Sequence, residues 1–227
     1  MKKYFFLWLF SIMLFLSCKK DKSSEAEFKF TKIEGNKSTA TNGVLKIQWQ
    51  DDKNTSWKII LTDITLGTIK EISTTTKSIN ENVIIGNSYR LTPIGTDSPI
   101  DTTSPCKGNV LQLVKIGSMP DLFTVFKPCT TSSLAISNVF AEKLDATQGV
   151  FNAGFNSTRN TSWKIKVTNT ATSTSTTTNT AITETGNINI PLDVTQSVEI
   201  TGDQNGAKAS FNIKVESNAN VVVSDFY

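Results

Sequence analysis

Reactive side chains are few in this sequence. Its 227 residues include no histidine, three cysteines and 20 carboxylates. The missing histidine excludes Ser-His-Asp and Cys-His catalysis and the usual zinc sites. It also removes the commonest general base near neutral pH. Carboxylate hydrolysis needs two acids about 5–10 Å apart in a cleft, and the acids here are poorly placed for it. Asp51 and Asp52 are adjacent, so in an extended chain they point in opposite directions. They also sit among turn-forming residues, where an Asp carboxylate bonds nearby backbone. Asp97 and Asp101 lack the ligand spacing of an EF-hand loop. No catalytic residue, metal or cofactor is expected, and a carboxylate-based hydrolase is the least favoured function.

The amino terminus has its own chemistry. Met1-Lys2-Lys3 is positive, Tyr4 to Leu16 is apolar apart from Ser11, and Ser17-Cys18 follows directly. This is the layout of a signal peptide, and the apolar run is shorter than the ~20 residues of a membrane span. The segment Phe15-Leu16-Ser17-Cys18 resembles a lipobox, with Phe15 where Leu is usual. Cys18-Lys19-Lys20-Asp21-Lys22 is similar to the mature start of Bacteroidota-type lipoproteins. The resemblance implies a signal peptide over residues 1–17, lipid on Cys18 and a polar tether over 18–25. It also implies an outer-membrane-anchored protein of the cell envelope, surface-exposed or periplasmic. In an oxidising compartment the remaining pair, Cys106 and Cys129, is a candidate disulfide. Closing that loop would stabilise by about 3 kcal/mol in the chain-entropy model. Two buried free thiols are the alternative.

Charge narrows the partners. Without Lys2 and Lys3 the balance is 21 basic to 20 acidic residues. A near-neutral chain with no basic stripe does not suit nucleic acid, nor does it hold acidic membranes by charge alone.

The elements that carry these residues are set by an internal repeat. Ala40-Thr41-Asn42-Gly43-Val44 returns 106 residues later as Ala146-Thr147-Gln148-Gly149-Val150. Asn54-Thr55-Ser56-Trp57-Lys58-Ile59 returns unchanged, at the same offset, as Asn160-Thr161-Ser162-Trp163-Lys164-Ile165. Two units of about 100 residues are a tandem pair of domain size rather than a short-period solenoid. Each reads as β. Leu45, Ile47 and Trp49 alternate with Lys46, Gln48 and Gln50, and Phe151, Ala153 and Phe155 take the same places in the copy. After polar turns at 51–54 and 157–160, Trp57, Ile59 and Leu61 face one way while Lys58 and Thr62 face the other, and Trp163, Ile165 and Val167 alternate with Lys164, Lys166 and Thr168. Such period-two patterns predict strands with one buried face. Further strands are expected at Ser88–Ile94, Asn109–Ile116, Leu122–Phe126, Ser197–Thr201, Ser210–Glu216 and Val221–Phe226. Thr96–Gly108 reads as an elaborated loop, and Thr168–Thr185 as an edge strand with a long loop or partial disorder.

On Trp49, Trp57 and the segment Ile85-Gly86-Asn87-Ser88-Tyr89-Arg90-Leu91, the first unit resembles a fibronectin type III domain. The second departs from that pattern, with Phe155 for the first tryptophan and Val198 for the tyrosine. The expected fold is all-β: two tandem immunoglobulin-like, fibronectin type III-like β-sandwiches, over 26–128 and 134–227. The resemblance implies spacer or adhesion roles and no shared catalytic residue. Bulky aromatics on an alternating apolar face are core residues far more often than sugar platforms, so Trp49, Trp57 and Trp163 are expected inside. Asp101-Thr102-Thr103 resembles an envelope O-glycosylation acceptor, which makes Thr102 a candidate for modification. Three functions follow in order: a membrane-anchored, non-enzymatic binding or adhesion module for a glycan or protein; a spacer with no ligand; and the hydrolase.

Overall fold

A computed structural model describes residues 28–102, 111–117, 121–126, 134–157, 159–204 and 206–226. All regular structure among them is β. The first repeat contributes β1 (Lys29–Lys37), β2 (Asn42–Gln50), β3 (Trp57–Asp63), β4 (Thr68–Thr74), β5 (Ser78–Ile84), β6 (Tyr89–Gly95), β7 (Leu111–Ile116) and β8 (Asp121–Phe126). The second contributes β9 (Ala135–Lys143), β10 (Gln148–Asn156), β11 (Trp163–Asn169), β12 (Ser175–Thr180), β13 (Ile188–Pro191), β14 (Gln196–Gly202), β15 (Lys208–Val215) and β16 (Val221–Ser224).

These strands make two eight-stranded sheets, and each sheet draws on both repeats. One runs β12-β11-β14-β15-β16-β1-β2-β5, the other β13-β10-β9-β8-β7-β6-β3-β4. Exchanging each strand for its counterpart in the other repeat turns one sheet into the other, so the molecule has an internal pseudo-two-fold relation. The seams are β1 on β16, where Ile33 faces Val223, and β8 on β9, where Phe123 faces Phe140. The tandem sandwiches are thus fused side by side. Each covers an edge that the other would leave open, which removes a template for wrong pairing.

Strand direction fixes the ends of the molecule. Lys29 pairs with Gln50, and Asp225 donates its backbone N–H to Thr31 O. Phe28, Phe226 and the corner 51–56 therefore share one end. Corner 157–162 lies there too, because Trp57 pairs with Gly95 and Trp163 with Gly202 in sheets of unbroken antiparallel order. The β1–β2, β3–β4, β9–β10, β11–β12 and β15–β16 hairpins turn at the opposite, distal end.

The core forms where the alternating faces meet. Trp49 and Trp57 contact edge to face with centroids 5.7 Å apart, and Phe155 and Trp163 repeat the contact at 5.3 Å. Buried residues run as one cluster from Phe28 through both repeats to Val223. Burying a Leu, Ile, Val or Phe side chain stabilises by about 1.5–3 kcal/mol.

The sequence reading finds β3, β6, β7, β8, β11, β14, β15 and β16 to within two residues and β2 and β10 to within three, and misses others for physical reasons. In β1 and β9 a bulge breaks the period, between Phe30 and Lys32 and opposite Gly154/Phe155. Strand β4 lies on an open edge and hides almost nothing, so it has no apolar alternation. Thr168–Thr185 resolves in favour of the edge-strand reading as β12. One correspondence is corrected. Gln196, not Val198, takes the place of Tyr89, because Gln196 faces Asn169 as Tyr89 faces Asp63. Val198 instead matches Leu91 in the core.

Candidate functional site

The identical hexapeptide builds a clamp at each corner. In the first repeat Asp51 is buried, and its Oδ2 accepts from Asn54 Nδ2 at 2.7 Å and Trp57 Nε1 at 2.8 Å. Its Oδ1 accepts from Lys53 N at 2.9 Å. Asn54 Oδ1 then accepts from the backbone N–H groups of Asp97 and Ser98, at 2.9 and 2.7 Å. Asp97 Oδ2 reaches back to accept from Thr55 N and Thr55 Oγ1, at 2.8 and 2.7 Å. Gly95 is required beneath, since a Cβ there would overlap the Asn54 side chain. The second repeat rebuilds the clamp. Asn160 Oδ1 accepts from Gln204 N at 2.7 Å, Asp203 accepts from Thr161 N and Oγ1, and Gly202 leaves room for Asn160. The clamp ties the β2–β3 and β10–β11 loops to the ends of β6 and β14.

This geometry explains the retained motif without any catalysis. Burial pushes Asp51 toward protonation, but donors from Trp57, Lys53 and Asn54 outweigh it and hold the carboxyl below its ordinary value. The backbone N–H and hydroxyl of Thr55 lower Asp97, and the Thr161 hydroxyl heads the donors that lower Asp203. Ionised carboxylates filled by donors are poor general acids. Asp97 and Asp203 escape the sequence reading as partners of the hexapeptide. Their own separation of 106 residues was the available signal.

The other singled-out residues divide clearly. Cys18, Cys106 and Cys129 lie outside the described residues. Thr102 is half-buried. Asp52 is exposed and pairs with Lys77 at 3.6 Å, so it does not converge with Asp51. Trp49, Trp57 and Trp163 are 3%, 2% and 5% exposed, so none offers a face to a sugar. Tyr89 is buried too, and its hydroxyl accepts from Ile84 N at 2.8 Å, which anchors the 85–88 turn. Phe123 and Phe126 belong to β8. No group of three or more His, Cys, Asp or Glu that could hold a metal occurs among the described residues. A hollow on the outer face of β1, β2 and β5 is lined by Lys32, Glu34, Lys46, Gln48, Ser78 and Asn80. Its charges are already engaged, with Glu34 3.2 Å from Lys32 and 3.0 Å from Lys46.

What remains is the outer face of β3, β4 and β6. Cross-strand register sets Arg90, Thr62 and Ile69 in one row, and Thr92, Ile60 and Glu71 in the next. Ile94, Lys58 and Ser73 form the third. The β3–β4 hairpin adds Ile64 and Leu66 at the distal end. Ile69 is 68% exposed, Leu66 59%, Ile94 44% and Ile64 43%, which is unusual for large aliphatics gathered on one face. The counterpart rows on β11, β12 and β14 are Ser197, Thr168 and Ser175, then Glu199, Lys166 and Thr177, then Thr201, Lys164 and Asn179. The hairpins match residue for residue. Asp63 Oδ1 accepts from Thr65 N and Leu66 N, and Asn169 Oδ1 accepts from Ala171 N and Thr172 N.

No protein-family model matches the sequence, and no curated protein is significantly similar to it. Among solved structures the chain is similar to a two fibronectin type-III domain segment from chicken tenascin. The identity is 12%, over 82% of this chain and 98% of that one, with a TM-score of 0.25.

Proposed function

We propose that this chain is an envelope lipoprotein whose lipid-anchored β-sandwich acts as a non-enzymatic binding or adhesion module for a glycan or protein. The observation that carries the reading is the polarity of the fold. Phe28, where the described body begins, lies at the clamp end, and the hairpin tips lie at the other. A lipid on Cys18 with residues 18–27 extended would hold the body within roughly 35 Å of a bilayer, its tips facing away. Acylation and exposure of the tips together make a display device, since lipid anchoring by more than one chain is stable. The fused sheets favour rigid presentation over a hinged pair.

A spacer without a ligand is the second reading, and one observation favours it: the entirely polar outer face of β11, β12 and β14. The exposed aliphatics of the first repeat weigh the other way. The test of the anchored module is incorporation of labelled palmitate. We expect label in the native chain, none in Cys18→Ser, and a shift of that variant from the membrane to the soluble fraction. An unlabelled native chain would overturn the reading.

A further inference from the structure

We infer that the outer face of β3, β4 and β6, with the β3–β4 hairpin tip, is a docking surface for a polypeptide segment bearing aliphatic side chains and a carboxylate. This rests on the reading as a binding module and names its partner's chemistry. The second repeat supplies an internal control. The same strands, register and hairpin are built there with Lys166 for Ile60, Thr170 for Ile64, Thr172 for Leu66, Ser175 for Ile69 and Thr201 for Ile94. Five aliphatics in one copy have five polar counterparts in the other. The scaffold therefore does not need them, and keeping large aliphatics in water costs solubility without adding to the core.

Charge selects the occupant. Lys58 on this face is neutralised by Glu71 at 2.9 Å, and Lys70 on the inward side of β4 by Glu81. Arg90 stands exposed in the row of Ile69, forms no ion pair or hydrogen bond among the described residues, and replaces a serine of the other repeat. An unpaired guanidinium beside aliphatics complements a carboxylate flanked by apolar side chains. Addition of a partner strand to the β4 edge is disfavoured, because Lys70 and Glu71 stand at its centre. The contact is therefore made on the face. The row of Arg90 and Ile69 and the hairpin tip lie toward the distal end, away from Phe28, which leaves that part of the surface accessible above a membrane.

The test uses the full chain with its anchor in lipid nanodiscs, probed with a phage-displayed random peptide library and then with synthetic copies of the selected peptides. Selected sequences should combine Leu, Ile or Val with Asp or Glu. Ile69→Ser and Ile60→Lys install residues that the second repeat already carries, so they preserve folding, and each should weaken binding about tenfold or more. Arg90→Glu should reverse the charge preference toward Lys and Arg. Lys164→Ala, on the sister face, should leave binding unchanged.

Failure to select any peptide would overturn the proposal, as would selected peptides indifferent to the three substitutions. Two rival occupants are also measured. Concentration-dependent dimerisation abolished by Ile69→Ser would assign the face to a second copy. Partition of the Cys18→Ser chain onto phosphatidylethanolamine–phosphatidylglycerol vesicles, lost with the same substitution, would assign it to lipid. Either result overturns the peptide. Palmitate on Cys18 without peptide selection would overturn this face alone; peptide selection without palmitate would overturn the anchored module alone.

Discussion

At the corner between β2 and β3 the Trp57 indole donates to Asp51. At the matching corner between β10 and β11, Ser157 stands in the place of Asp51, and the Trp163 indole nitrogen is buried with no hydrogen-bond partner. Ser157 Oγ still accepts from Asn160 Nδ2 at 2.5 Å, so the clamp keeps its asparagine and loses only the reach to tryptophan. A hydroxyl on a short stem serves one side chain where a carboxylate serves two. The comparison separates what the fold needs from what it merely uses. Asn54/Asn160, Thr55/Thr161, Gly95/Gly202 and Asp97/Asp203 are kept in both copies, so they close the corner. Asp51 is an addition that strengthens one corner only.

The sharpest way to break this comparison is to truncate both residues. Asp51→Ala strands two buried donors, Trp57 Nε1 and Asn54 Nδ2. Each unsatisfied buried donor costs about 1–3 kcal/mol, so the loss should be about 2–4 kcal/mol in chemical denaturation. Ser157→Ala strands one side-chain donor, Asn160 Nδ2, and releases only the longer bonds from the Asn160 and Arg159 backbone N–H groups, at 3.3 and 3.4 Å; Trp163 Nε1 is already unpartnered, and the change should cost about 1 kcal/mol. Equal losses would mean that the two corners do not differ as their bonding indicates.

A smaller effect, of opposite sign, follows from transplanting the acid. Ser157→Asp gives Trp163 Nε1 the acceptor that Trp57 has, while Asn160 Nδ2 keeps one. The gain should be about 1 kcal/mol, within the range for hydrogen bonds to charged groups less the desolvation of a new carboxylate. A downfield shift of the Trp163 indole proton resonance would accompany it. Unchanged stability with an unchanged indole signal would show that the second corner holds its backbone too far away to close.

How much of this was legible beforehand depended on the kind of signal. Residues that bury one face of a regular strand announce themselves, so Leu45, Ile47 and Trp49 place β2, and Trp163, Ile165 and Val167 place β11. The repeat showed that a fixed offset joins the corners, but not that Asn54 reaches across to Asp97, because that contact lies 43 residues away in sequence. Nor did alternation disclose that β1 and β16 pair. Seam pairing is decided by which strand edges remain open after each sandwich forms, and that is a property of the assembled sheets. The aliphatic face went unread for a simpler reason. Ile60 sits inside the run Ile59-Ile60-Leu61, where an outward-facing isoleucine looks like more core until the register assigns it to the other side.

The finest test of the two corners is their response to acid. Asp51 is held below the ordinary carboxylate value by its donors against the opposing effect of burial. A group depressed in the folded state adds stability above its unfolded pKa, about 3.9 for Asp, and loses it as pH falls through the folded value. The stability difference between the native chain and Asp51→Asn should therefore be constant near neutrality and shrink below about pH 4. Asp63, also depressed, and Glu34 titrate in both proteins and cancel in that difference. The Trp57 indole resonance should move over the same interval as its acceptor takes up a proton. Trp163, beside a serine that does not titrate, should stay where it is. A Trp163 signal that moved with that of Trp57 would mean the two corners communicate through the fused sheets, and the independence of the clamps would be lost.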